Sequence, residues 1–224
     1  MLSRSRSICG ARRSHAPIQR NSLPAWHTAS RWHPPIQVFL IADIRGYTRF
    51  TLEQGDEAAA QLASRFAHLT RLAVAPLGGQ MLELLGDEAL VCFASARSAL
   101  RAAGHLQQHF ALASAEDPRL PLLVGIGLDA GEAVPVEGGF RGKALNLAAR
   151  LCSLAGPGEV LTSEAVIHLA GKIEGLHTQS WGLAALKGFP EPVSVVAVQA
   201  ESTRAEEVLC SAALEVSVNY LGTN

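Results

Sequence analysis

The stretch Val-Phe-Leu-Ile-Ala-Asp-Ile-Arg-Gly-Tyr-Thr-Arg-Phe, Val38 to Phe50, constrains this chain more than any other. It opens as an unbroken apolar run, the pattern of a strand buried on both faces rather than on one. The run ends in Asp43, where the strand should surface, and Gly46 and Thr48 then turn the chain toward a helix. A carboxylate at the end of a buried strand, followed by a glycine turn and a helix start, can hold a cation beside a phosphate. Hard oxygen ligands and free backbone N–H groups converge at such a place.

The rest of the sequence sets the scale for that site. With 224 residues, 48% of them hydrophobic, the chain is long enough for one domain with a real core, with or without tails. No apolar run approaches the roughly 18 residues of a membrane span. The four cysteines, Cys9, Cys92, Cys152 and Cys210, are scattered with no Cys-x-x-Cys pair. That argues against a disulfide framework or a zinc site and fits the reducing cytoplasm. Six of the 19 basic residues and none of the 20 acidic ones lie in residues 1–36, which leaves the remainder at a formal charge of −7. Nucleic-acid binding needs a basic folded face, so it is not expected. An acidic domain that handles nucleotides recruits divalent metal.

Three regions follow from the patterning. Residues 1–35, rich in Arg, Ser, His and Pro, read as a disordered basic extension or a mis-called start. Their composition also matches an organelle transit peptide, but no amphipathic apolar face is evident. Residues 36–199 read as the folded domain. Residues 200–224 are weakly patterned and stay unassigned.

Within the domain, Ile36 to Asp43 is the first strand, and Thr51 to Ala75 reads as helix, with Leu62, Phe66, Leu69 and Leu72 on one face and a break at Gly55. Gln80 to Leu85 and Ala89 to Ala94 flank a Gly86-Asp87-Glu88 hairpin turn. Ser95 caps a second helix to Ala113. Leu120 to Asp129 and Glu132 to Val136 read as strands joined at Ala130-Gly131, with a loop at Gly138-Gly139 and a helix over Lys143 to Leu154. A strand over Glu159 to Thr162 leads to a short helix capped by Ser163. Two last strands flank Leu186 to Pro190, the second over Val193 to Val198. Mixed strands with interspersed helices predict an α+β sandwich, a mainly antiparallel sheet with helices packed on one side.

Several side chains carry possible chemistry. If the first strand and the hairpin are neighbours, Asp43 and Asp87 project from one edge. Two carboxylates with open positions suit Mg²⁺ or Mn²⁺ held together with substrate phosphates, although a lone Asp beside a glycine is ordinarily turn chemistry. Asn146 and Arg150 are four apart, so they share one face of their helix and could grip a sugar and a phosphoryl group. Lys187, in a glycine-flanked turn, is a third candidate for a phosphate contact. His105 and His109 share a helix face without any accompanying ligand pattern. The phosphate-loop, nucleophile-elbow and His-Glu-x-x-His signatures are absent.

Taken together these segments resemble the catalytic domain of class III nucleotidyl cyclases, the adenylate and guanylate cyclases. The resemblance runs from about Val38 to Val198. It rests on Phe39-Leu-Ile-Ala-Asp-Ile-Arg-Gly-Tyr-Thr, Leu85-Gly-Asp-Glu-Ala-Leu and Val124-Gly-Ile-Gly-Leu-Asp-Ala-Gly-Glu. It continues in Gly142-Lys-Ala-Leu-Asn-Leu-Ala-Ala-Arg-Leu-Cys-Ser-Leu-Ala, Pro157-Gly-Glu-Val-Leu-Thr-Ser-Glu and Leu186-Lys-Gly-Phe-Pro-Glu-Pro-Val, in the family's order and spacing. It implies a ferredoxin-like, palm-type sandwich and a reaction turning ATP or GTP into the 3′,5′-cyclic nucleotide and pyrophosphate for signal transduction. It further implies two Mg²⁺ or Mn²⁺ ions per site on Asp43, Asp87 and the Ile44 carbonyl, with Asn146 on the ribose and Arg150 on the transferring phosphoryl group. Lys187 would meet the terminal phosphates, and Gly46, Tyr47 and Thr48 would cradle them. In such proteins two catalytic domains share each site, so the resemblance implies a homodimer, with regulatory domains possible on a longer chain.

Some positions depart from the family's pattern. The base-selecting position four before Asp87 is Glu83, which leans toward GTP. Its partner three before Gly142 is Gly139, which selects nothing with a side chain. The position before Val124, where the family often has a phosphate-binding Arg, is Leu123. These departures support a second reading, a catalytically weak or inactive cyclase-like dimerisation and regulatory module. A diguanylate cyclase, the third reading, lacks the Asn-x-x-x-Arg helix.

Overall fold

The computed structural model describes residues 35–137 and 139–201. The expected N-terminal extension and C-terminal tail lie outside the described residues, apart from Pro35, Ala200 and Glu201. The apolar run forms strand β1 (Ile36–Ile44), buried from Val38 through Ala42. Antiparallel partners flank it on both sides. Strand β3 (Glu88–Phe93) pairs from Val38–Phe93 to Asp43–Glu88, and β4 (Val124–Glu132) pairs from Ile36–Glu132 to Ile44–Val124. Strand β2 (Gln80–Leu85) lies outside β3, and Gly86-Asp87 forms the two-residue turn between them.

Two helices follow β1. The chain enters α1 (Tyr47–Gln54) four residues before the expected helix start, because Gly46 adopts φ 73°, ψ 17° as its N-cap. This left-handed turn favours glycine. Gly55, at φ 86°, separates α1 from α2 (Asp56–Val74). Helix α3 (Ala96–Glu116) begins at Ser95, whose Oγ accepts the Ser98 N–H at 3.3 Å. The order β1, α1–α2, β2, β3, α3, β4, with β1 between β3 and β4, is the ferredoxin-like β-α-β-β-α-β arrangement.

The remaining strands extend the sheet beyond β4. After α4 (Lys143–Leu154), β7 (Val160–Ser163) pairs parallel to β4. Beyond the short helix α5 (Glu164–Ala170) come β8 (Leu176–Ala184) and β9 (Val193–Ala200), which complete a seven-stranded sheet of order β2-β3-β1-β4-β7-β9-β8. A separate hairpin pairs β5 (Val134–Val136) with β6 (Gly139–Arg141). Sequence patterning read Ala130-Gly131 as a joint and Gly139 as loop. Ala130-Gly131 instead continues β4, and Gly139 opens β6.

Helices lie on both faces of the sheet, not on one as expected. Val38, Leu40, Ala42 and Ile44 face a core built with α2 and α3, where Phe66 and Phe110 stack at 5.5 Å with both side chains fully buried. Phe39 and Ile41 face the opposite way, toward Ala144, Ala148 and Cys152 of α4. The reason is already in β1: a strand apolar on both faces needs cover on both. Gly127 makes the second cover possible, since a Cβ there would overlap the Ala148 carbonyl and the Cys152 backbone. Helix α4 thus lies directly on the β4 backbone.

Candidate active site

The antiparallel register sets Asp43 opposite Glu88, one residue past Asp87 in the hairpin turn. The Ile44 N–H donates to the Asp87 carbonyl at 3.0 Å, which locks the turn against the end of β1. Asp43, Asp87 and Glu88 therefore meet at one end of the sheet, and Glu83 on β2 acts electrostatically on the same group. Burial, with a smaller push from Asp87, raises the Asp43 carboxyl above its ordinary range, and Arg45 pulls it back. Glu88 is also raised, first by burial and then by Asp43, Asp87 and Glu83.

The chain after Asp43 leads directly into α1. Gly46 turns into α1, Thr48 is exposed at the helix start, and the Tyr47 hydroxyl donates to the Ala59 carbonyl at 3.1 Å, fastening α1 to α2. Leu123 is buried, and its carbonyl accepts the Arg45 N–H at 2.6 Å.

The other expected residues stand elsewhere. Asn146 and Arg150 lie on the exposed side of α4, opposite the buried Ala144, Leu147, Ala148 and Leu151. Lys187 is exposed in a turn closed by the Phe189 N–H to the Leu186 carbonyl at 3.0 Å, with Gly188 at φ 88°. Gly139 pairs with Val136 beside the turn of the β5–β6 hairpin. Arg45 and Asp87 act on Asp43, while Asp43, Asp87 and Glu83 act on Glu88. The carboxylates thus stand at the end of β1, and Asn146 and Arg150 stand on the outer side of α4.

Two residues at the site escaped sequence reading. Glu88 joins the carboxylates only through strand register. Arg45 donates to Asp43 Oδ2 at 2.6 Å and also to the Cys152 carbonyl. The expected Ser163 cap does not form either: the Ser163 hydroxyl donates to the buried Asp129 carboxylate. Burial pushes the Cys92 and Cys152 thiols up to about 11, so neither is a nucleophile at neutral pH.

No group of three or more His, Cys, Asp and Glu arranged to hold a metal occurs among the described residues. Asp43 and Asp87 nonetheless fit a magnesium-like ion in donor chemistry. Such ions are held by one or two carboxylates plus substrate phosphates, not by an all-protein cage. The mutual repulsion of these carboxylates is the field a divalent cation would relieve. Among the described residues, no helix is long and apolar enough to cross a membrane.

Comparison with known proteins places this architecture. No protein-family model matches the chain. A crystal structure of an adenylate/guanylate cyclase/hydrolase from Silicibacter pomeroyi superposes with a TM-score of 0.64 at 28% identity, covering 73% of this chain and 96% of that one. An adenylate cyclase of Streptomyces coelicolor is 32% identical over 124 residues, 55% of this chain and 31% of its own length. An uncharacterised protein of Mycobacterium tuberculosis is 30% identical over 152 residues, 68% of this chain. The chain spans only 38% of that protein's length. The fold is that of the class III adenylate/guanylate cyclase catalytic domain, and the resemblance carried by the motifs is thereby one of architecture as well.

Proposed function

We propose that the chain is a nucleotidyl cyclase, converting ATP or GTP to the 3′,5′-cyclic nucleotide and pyrophosphate at sites shared between two copies of the chain, in intracellular signal transduction. One observation carries this reading. Asp43 and Asp87 converge at the end of the central strand, while Asn146 and Arg150 are exposed on the outer side of α4, open to a second copy. A second copy, docked head to tail, would supply the missing half to each site.

In this reading the substrate 3′-oxygen attacks the α-phosphorus. The new O–P bond forms as the bond to the β-phosphate oxygen breaks, pyrophosphate leaves with the electron pair, and the hydroxyl proton passes to solvent. Two divalent cations held by Asp43, Asp87 and the Ile44 carbonyl would neutralise the triphosphate and acidify the attacking hydroxyl. Asn146 orients the ribose, and the planar fork of Arg150 binds the charge that develops on the transferring group. Backbone N–H groups at Gly46, Tyr47 and Thr48 receive phosphate oxygens at the start of α1, and Lys187 meets the terminal phosphates. Glu83 lies at the carboxylate end of the sheet, where it can accept hydrogen bonds from a guanine edge. Gly139 adds no side chain to oppose either base.

A turnover assay of the full chain at high concentration, with Mn²⁺ and with ATP and GTP in parallel, tests the reading. Cyclic product that falls by at least roughly a hundredfold in Asp43→Ala is expected. Absence of product from both nucleotides, in a sample shown to be dimeric, would leave the non-catalytic module that the apolar Leu123 favours.

A further inference from the structure

The Arg45 side chain is not used by the catalytic scheme above, yet it touches both halves of the site machinery. Its Nη1 donates to the Asp43 carboxylate at 2.6 Å. Its Nη2 donates to the Cys152 backbone carbonyl, in the last turn of the helix that carries Asn146 and Arg150, and approaches the Cys152 sulfur at 3.5 Å. The guanidinium crosses β4 at Gly125, the space a side chain there would fill. The third guanidinium nitrogen, Nε, is buried and makes no hydrogen bond. Leaving such a donor unmet costs free energy, so the other two contacts set the position of this side chain. A planar fork holds donors on separate nitrogens at a fixed spacing, whereas an ammonium carries all its donors on one nitrogen.

We propose that Arg45 is a positioning residue that links cation occupancy at Asp43 to the placement of α4. The inference rests on the cyclase reading in one respect. If Asn146 and Arg150 serve the second site of a head-to-tail pair, the link runs from one active site to the other. The physical basis is competition. A divalent cation and the Arg45 guanidinium both seek the Asp43 carboxylate, so cation binding weakens the Asp43–Arg45 ion pair. The fork then shifts, and its hold on the Cys152 carbonyl at the end of α4 shifts with it. A cation in one site thereby adjusts the helix that presents Asn146 and Arg150 to the other.

Amide hydrogen exchange across residues 150–155 of the full chain, with and without Mn²⁺ and no nucleotide, tests the link. Mn²⁺ affinity is measured on the same samples by calorimetry. In the unaltered protein, Mn²⁺ is expected to change exchange across these amides, and both binding and response are expected to vanish in Asp43→Asn. Arg45→Lys keeps a positive charge but replaces the two separate Nη donors with one nitrogen, so it cannot reproduce the fork's bridge from Asp43 to the Cys152 carbonyl. It should retain Mn²⁺ binding while the exchange response falls at least fivefold. Arg45→Met should bind Mn²⁺ roughly three- to fivefold more tightly, the scale of a partly exposed ion pair removed from competition, and should likewise lose the response. A merely structural arginine would instead lower affinity and loosen α4 regardless of Mn²⁺. That result overturns the proposal, as does Mn²⁺ binding without any response in α4, or no Mn²⁺ binding at all. Cyclic product without an α4 response refutes the link and leaves the cyclase. A response dependent on Arg45 without any cyclic product does the reverse.

Discussion

Glu88 stands among like charges at the end of the sheet, opposite Asp43. Its carboxyl is raised by burial and by three neighbouring carboxylates. Between the ordinary carboxylate range and its raised value, the folded chain therefore binds more protons here than the unfolded chain. Stability contributed by this group is lost as pH rises through that window, and stays lost at neutral pH. Glu88→Gln is expected to raise the melting temperature at pH 7. The gain should shrink as the pH falls below the ordinary carboxylate range, where both forms are neutral; calorimetric melts at the two pH values check it. Arg150→Lys keeps the charge but loses the planar fork, and on the cyclase reading kcat should fall by about ten- to a hundredfold with the melting temperature unchanged. Asp43 and Asp87 are legible in the sequence because each sits where an apolar run gives way to a glycine turn. Glu88 and Arg45 are not legible. The first depends on which residue of β3 stands opposite Asp43, and the second on the approach of α4 to β4, neither of which has a local signature.

At the scale of elements, the glycine pattern of β4 governs whether α4 can take its place. Gly127→Ala puts a Cβ into the backbone of α4, and overpacking of this kind costs about 1–3 kcal/mol or more. The expected outcome is a lower urea midpoint, together with loss of turnover beyond what the stability change explains, because α4 carries Asn146 and Arg150. Phe110→Ala acts on the opposite face. It removes a fully buried ring stacked on Phe66 and should cost about 3–5 kcal/mol, with turnover per folded molecule retained. The bounds of α4 were readable from its amphipathic period and from the Gly142 and Gly156 that flank it. Its side of the sheet was not, because periodicity reports that a helix has an apolar face and not which surface receives it. The same limit explains α1. Its start at Tyr47 is fixed by the positive φ of Gly46 rather than by any apolar spacing.

At the scale of the whole molecule, the order β2-β3-β1-β4-β7-β9-β8 brings the carboxylates to one end of the central strands and leaves Asn146, Arg150 and Lys187 exposed. The family resemblance was legible because six separate segments keep their order. The exposure of Asn146 and Arg150 on the outer side of α4 emerges only from the tertiary arrangement. If two copies complete each other's sites, two variants that are inactive alone should complement each other when mixed. Asp43→Ala and Asn146→Ala should each be nearly inactive alone. Mixed in equal amounts under dimer-forming conditions, they yield heterodimers in which one of the two sites carries both defects and the other carries neither. Turnover should then recover to roughly a quarter of the unaltered level, since about half of the dimers are mixed and each has one intact site. Recovery to that level would establish a site shared between copies. A mixture that forms mixed dimers yet stays as inactive as either variant alone would contradict it.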